Sequence, residues 1–95
     1  IAMLGFNAFA TGASGSSVIT VTEPNHGRDT GDTVRFRNVD PFDGITKSDI
    51  ELSSGYSITK VNNDSYTVTV SGASSAGNFS GGGSLASAGP VTPLA

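Results

Sequence analysis

Four stretches of the chain alternate apolar and polar side chains with the two-residue period of a half-buried β-strand. They are residues 17–22 (Ser-Val-Ile-Thr-Val-Thr), 33–38 (Thr-Val-Arg-Phe-Arg-Asn), 56–61 (Tyr-Ser-Ile-Thr-Lys-Val) and 65–70 (Ser-Tyr-Thr-Val-Thr-Val). Turn-forming residues separate them: Glu23-Pro24-Asn25-His26-Gly27, Thr30-Gly31-Asp32, Asp40-Pro41-Phe42-Asp43-Gly44 and Asn62-Asn63-Asp64. Proline presets the first central turn position, whereas glycine and asparagine accept a positive φ. The last of these turns predicts an antiparallel hairpin across residues 56–70. One helical turn is predicted after Gly44, with Thr46 as its N-cap and Asp49 in the position that closes a capping box.

The inward phase of these strands, with the helical turn, predicts a core of Ile19, Val21, Val34, Phe36, Val39, Ile45, Ile50, Leu52, Ile58, Val61, Tyr66, Val68 and Val70. All of it lies between residues 19 and 70. The expectation is therefore an all-β fold, a small antiparallel β-barrel or sandwich over residues 17–70. An extended N-terminal arm (residues 1–16) and a Gly/Ser/Ala-rich C-terminal arm (residues 71–95) would flank it.

Charge reinforces that division. All thirteen charged residues fall between Glu23 and Asp64, leaving both ends neutral. The last 25 residues hold six Ser, six Gly and five Ala, the composition of a linker, with only Phe79, Leu85, Val91 and Leu94 as sizeable apolar side chains. Ordering a residue's backbone costs about 1–2 kcal/mol, so contacts with neighbouring subunits are expected to hold these ends. On that expectation, deleting residues 71–95 leaves a soluble β body that no longer assembles. With no cysteine to staple a core this small, oligomerisation or attachment to a larger body is the expected support. A net charge of −3 argues against nucleic acid as a partner. No apolar run approaches the roughly 18 residues of a membrane span. Because Ile1 is not an initiator Met, the chain is expected to be a processed product or a segment of a longer polypeptide.

Candidate chemistry is sparse. His26, the only histidine, could combine with Asp29 or Asp32 and a serine in a hydrolytic set, but no G-x-S-x-G elbow is present; a turn ordered by the imidazole is the stronger reading. Asp29, Asp32, Asp40 and Asp43 cluster without the spacing of a calcium loop, each beside Gly or Pro or in turn sequence. Gly81-Gly82-Gly83-Ser84 lacks the following lysine of a phosphate loop. Asn63-Asp64-Ser65 and Asn78-Phe79-Ser80 match the short N-glycosylation pattern. Arg28, Arg35, Arg37, Lys47 and Lys60 could form a basic face, although arginines on the outer side of an edge strand explain themselves as guards against unwanted pairing. Tyr56 and Tyr66 could stack on a sugar, or pack as a cross-strand pair. No catalytic, cofactor-binding or metal-binding residue is assigned, and no cofactor is expected.

The order of these motifs resembles a β-rich repeat module found in tailed-bacteriophage virion proteins of the tail and nozzle type. The resemblance rests on Val21-Thr22-Glu23-Pro24-Asn25-His26-Gly27, on Gly31-Asp32-Thr33-Val34-Arg35-Phe36, on Phe42-Asp43-Gly44-Ile45-Thr46, and on the strands ending at Val61 and Val70. It covers roughly residues 7–83, from Asn7-Ala8-Phe9-Ala10-Thr11 to the triple glycine. Glu51-Leu52-Ser53-Ser54-Gly55 departs from it, standing where such modules often carry an N-G-type turn. The resemblance implies a non-catalytic virion structural protein acting in tail or head–tail assembly. Its partners would be other copies of itself and other virion proteins of the tail, portal, nozzle or capsid, with no nucleic acid and no membrane. A capsid decoration protein, or a receptor- or glycan-binding module of a tail fibre using Tyr56 and Tyr66, are the alternatives.

Overall fold

The computed structural model describes residues 2–90 and is nearly all β. Nine strands form two antiparallel sheets: β1 (Ala2–Met3), β2 (Phe9–Thr11), β3 (Val18–Thr22), β4 (Thr33–Arg37), β5 (Tyr56–Ser57), β6 (Thr59–Asn62), β7 (Ser65–Thr69), β8 (Ser80–Gly81) and β9 (Ser87–Gly89). One sheet has the order β1-β9-β4-β5, the other β6-β7-β3-β2-β8. The single helical turn α1 (Lys47–Ile50) starts as the sequence predicts. Thr46 accepts from the Asp49 amide, and the Asp49 carboxylate accepts from the Thr46 amide.

Inward residues of the two sheets meet in one core. The Phe36 ring on β4 lies edge-on to Phe9 of β2, with centroids 5.1 Å apart, and parallel to Tyr66 of β7 at 6.4 Å. Phe9 also leans on Phe42 at 6.0 Å. Such aromatic pairs contribute about 0.5–1.5 kcal/mol each beyond the area they bury. Most of the predicted core is buried, but Leu52 and Val61 are exposed. Val61 stands three positions from buried Ile58, and Lys60 takes the register position opposite Tyr66, so Val61 falls outside the inward phase, at the irregularity between Lys60 and Asn62. Leu52 lies in the loop that follows α1.

Two further expectations are corrected. The predicted hairpin is shorter, because the 56–61 stretch serves both sheets. Tyr56 and Ser57 pair with β4. Ile58 then exchanges backbone hydrogen bonds with Gly31 and Asp32, and residues from Thr59 onward pair with β7. Second, β4 is an interior strand between β9 and β5, so Arg35 and Arg37 do not guard an edge.

The largest correction concerns the ends. Residues 1–16 and 71–95 were expected as arms outside a 17–70 body; over the described residues they are part of it. β2 lies between β3 and β8, and β9 between β1 and β4. Leu4, Ala8, Phe9, Ala86 and Ala88 belong to the core. Phe9 is completely buried. Val91 and Leu94, of the four apolar tail residues, lie outside the described residues; Phe79 and Leu85 are exposed.

Small side chains explain how a bland tail becomes sheet. Ala88 sits opposite Phe36 and Gly81 opposite Phe9. A Cβ on Gly81 would enter the Phe42 ring, and one on Gly82, at φ +109°, would enter the Phe9 ring. The aromatic residues of the body thus bury themselves against tail backbone, and only glycine leaves room for them. The tail supplies little apolar surface of its own, yet it covers a great deal belonging to the body.

Candidate functional site

The densest polar constellation lies where β3 ends. Along β3 the outward residues are exposed and Ile19 and Val21 are buried. Glu23 continues the inward phase and is buried with them. A buried carboxylate requires partners, and Glu23 has three bonds. Arg28 grips it with a fork, Nε to Oε1 and Nη2 to Oε2, both at 3.2 Å, and the Tyr66 hydroxyl donates to Oε1 at 2.7 Å. Burial above all, and the neighbouring Glu23 carboxylate, push the Tyr66 hydroxyl far above the ordinary tyrosine range. For Arg28 burial works against the charge, but the Glu23 carboxylate outweighs it and the guanidinium pKa is raised. Both groups therefore keep their protons, and neither is poised to exchange one.

His26 stands beside this knot, its ring edge-on to Tyr66 at 5.1 Å. Nδ1 accepts the Arg28 amide proton at 2.8 Å, so Nε2 carries the hydrogen and donates it to the Asn62 carbonyl at 2.7 Å. The Glu23 and His26 amides donate to Asp64 and Asn63, and the Asn25 amide donates to the Asp64 carboxylate at 3.1 Å. Asn25 and Gly27 take positive φ values of 54° and 64°. The Glu-Pro-Asn-His-Gly motif is thereby accounted for: it ties the chain leaving β3 to the tip of the β6–β7 hairpin.

The carboxylates predicted as a cluster are used separately. Asp32 accepts from the Asp29 amide at 2.8 Å across a turn. The Asp40 amide donates to Gly82. Asp43 and Gly44 both have positive φ, making the tight turn that bridges Phe42 to Ile45. The Asp43 carboxylate then organises the segment after β7: it accepts from the Ala76 amide at 2.8 Å, the Gly77 amide at 3.0 Å and the Thr11 hydroxyl at 2.9 Å. Among the described residues, no group of three His, Cys, Asp or Glu side chains converges as a metal site would require. The Asp43 bonds, the Ala76 amide first, hold its carboxyl below the ordinary range, and the Thr46 amide does the same for Asp49. A carboxylate with a lowered folded pKa stabilises the fold above its unfolded value, and that contribution is lost as acid titrates the folded group. Asp43→Asn is thus expected to be less stable than the parent at neutral pH, with the difference shrinking toward zero on acidification. Chemical denaturation at a series of pH values checks this.

The other predicted residues do not come together. Tyr66 is fully buried in the five-stranded sheet. Tyr56 belongs to the other sheet and donates its hydroxyl to the Asp49 carbonyl, so the two offer no shared platform for a sugar. The five cations do not gather on one face: Arg28 turns inward to Glu23, Lys47 pairs with Glu51 at 2.9 Å, Lys60 sits on the edge strand β6, and only Arg35 and Arg37 share a side, that of β4 opposite Val34 and Phe36. Shallow depressions indent the surface formed by the described residues. One of about 390 Å³ lies over Thr46, Lys47, Ser48 and Glu51 on the short helix; another, about 250 Å³, is lined by Gly5, Phe6, Asn7, Ala8, Thr22 and Pro24.

What sequence reasoning missed is Glu23, and the signal was present: it continues the inward phase of Ile19 and Val21. It also missed the outward face of the five-stranded sheet. Thr59 pairs with Thr67, Thr67 with Thr20, Thr20 with Ala10 and Ala10 with Ser80, a row running across all five strands. Val18, Thr22, Ser65 and Thr69 flank it. None of these side chains is charged. No family model matches the chain, and no curated protein or solved structure is detectably similar to it.

Proposed function

We propose that this chain is a non-catalytic structural protein of a tailed-bacteriophage virion, contributing to tail or head–tail assembly through subunit–subunit contacts. The observation that carries the reading is the uncharged outward face of the five-stranded sheet. A solvated sheet face ordinarily carries charge; this one presents short, mostly β-branched side chains that lose little rotamer freedom on docking and leave no charge to desolvate. The motif resemblance supports the same reading, and the knot around Glu23 makes the motif residues work on behalf of the fold.

The test uses particles. The chain is expected to co-purify with virions, whereas Thr20→Lys/Thr67→Lys, placed on two outward positions, is expected to fold normally and be depleted from particles by about tenfold or more. Burying an unpaired ammonium costs well over the ~1.4 kcal/mol that a tenfold change represents. Absence of the parent chain from particles, or undiminished incorporation of the folded double variant, contradicts the reading.

A further inference from the structure

Both ring nitrogens of His26 are bound to backbone, and the two bonds lead to different parts of the fold. Nε2–H donates to the Asn62 carbonyl at the end of β6, at 2.7 Å. Nδ1 accepts the Arg28 amide, two residues further along the His26 loop, at 2.8 Å. This pair of bonds needs one nitrogen with a hydrogen and one without, which only the neutral ring supplies. The neutral ring therefore clamps the Arg28 backbone to the β6–β7 hairpin.

A second proton acts on the two bonds in opposite ways. It must go to Nδ1, where it meets the Arg28 N–H donor against donor, and that bond is lost. The bond from Nε2 to Asn62 gains a charged donor and strengthens. The ring thus keeps its hold on the hairpin while it lets go of its own loop. Gly27 supplies the freedom to move: it has φ 64°, and a Cβ built on it would meet nothing within 4 Å. The Arg28 side chain stays forked to Glu23, so the release is confined to the backbone at residues 27 and 28.

The groups around the ring leave this exchange of bonds to decide the outcome. In the loop, Glu23 is neutralised by the Arg28 fork, and the Asp32 carboxylate is used by the Asp29 amide. From β7 the ring meets Tyr66, whose hydroxyl keeps its proton. From the hairpin come Asp64, which accepts the Asn25 amide, and Lys60, which stands opposite Tyr66 in the register. The ring's two hydrogen bonds both go to backbone rather than to any of these charges. His26 is half-buried, within reach of solvent, and histidine is the side chain that ordinarily changes charge between about pH 5 and 8. We infer that His26 is a proton-operated latch in the β3–β4 loop: neutral, it clamps the Gly27–Arg28 backbone to the hairpin; protonated, it frees that backbone and holds the hairpin alone. No contact with another chain enters this inference, which stands apart from the assembly reading.

Nitrogen-resolved NMR of the 95-residue chain between about pH 8 and 5 tests it. At the alkaline end the ring is expected as the Nε2–H tautomer, with the Arg28 amide protected from solvent exchange. As the ring takes its second proton, the Arg28 amide is expected to exchange roughly two- to tenfold faster relative to the intrinsic rate at each pH, the factor carried by one ordinary hydrogen bond. The Val70 amide, bonded to the Ser17 carbonyl, is expected to keep its protection. His26→Phe, which retains an aromatic ring beside Tyr66 but has no acceptor, is expected to show the faster Arg28 exchange at both ends of the range. An Nδ1–H tautomer at the alkaline end, an Arg28 amide whose protection does not follow the protonation of the ring, or a ring that stays neutral until the chain unfolds overturns the inference.

Discussion

Deleting residues 80–95 is expected to unfold the protein. The deletion removes β8 and β9, and β9 is the strand that joins β1 to β4. Without it β1 has no partner, Leu4 loses its place in the core, and the side of Phe36 covered by Ala88 faces water. Loss of β8 uncovers Phe9, whose partner across the sheet is Gly81. At about 1.5–3 kcal/mol for each large apolar side chain returned to water, three such residues remove on the order of 5–9 kcal/mol. That matches most of the 5–15 kcal/mol by which a typical domain is stable. Circular dichroism and a denaturant titration are expected to show no cooperative transition. A truncated chain with an intact transition means the C-terminal segment is peripheral.

Phe9→Ala is expected to destabilise the protein by about 3–5 kcal/mol, the range for removing a buried phenylalanine. Phe9 is fully enclosed, meets Phe36 and Phe42, and fills the space that Gly82 leaves open. The cavity left by alanine cannot be refilled cheaply, since the surrounding backbone belongs to three paired strands, β2, β3 and β8. Were residues 1–16 an arm outside the body, the same substitution would change stability by less than about 0.5 kcal/mol, as exposed positions do. The denaturation midpoint separates the two outcomes.

The central strands were legible because their signal is carried by their own side chains. Val34 and Phe36 alternate with arginines, Tyr66 and Val68 with threonines, and period two survives into the structure. The Thr46–Asp49 capping box was legible for the same local reason. β2, β8 and β9 were not. Residues 80–81 and 87–89 contain only Ser, Gly and Ala, which read as linker when taken alone. Their identity is set by what faces them: Phe9 and Phe42 require glycine at 81 and 82, and Phe36 accepts alanine at 88. Counting the apolar surface that a segment contributes underestimates a segment whose role is to cover surface belonging to others. The loop after β7 illustrates the polar version. Its order comes from backbone amides donated to Asp43 and to Ser16 and Gly12, contacts between positions about 30 to 66 residues apart. The candidate site divides similarly. The His-Gly turn was evident as a turn, whereas the Glu23–Arg28–Tyr66 knot needed the strand register that brings Val21 beside Tyr66.

The claim on which the rest depends is that one chain, without neighbours, builds its sheets from both of its ends. Solution NMR of the isolated 95-residue chain, at a concentration where it is monomeric, tests this most directly. Cross-strand nuclear Overhauser contacts linking Phe36 with Ala88 and Phe9 with Gly81, with dispersed amide signals over residues 7–11 and 80–89, are the predicted result. Random-coil shifts over those residues beside a structured 17–70 region would contradict it.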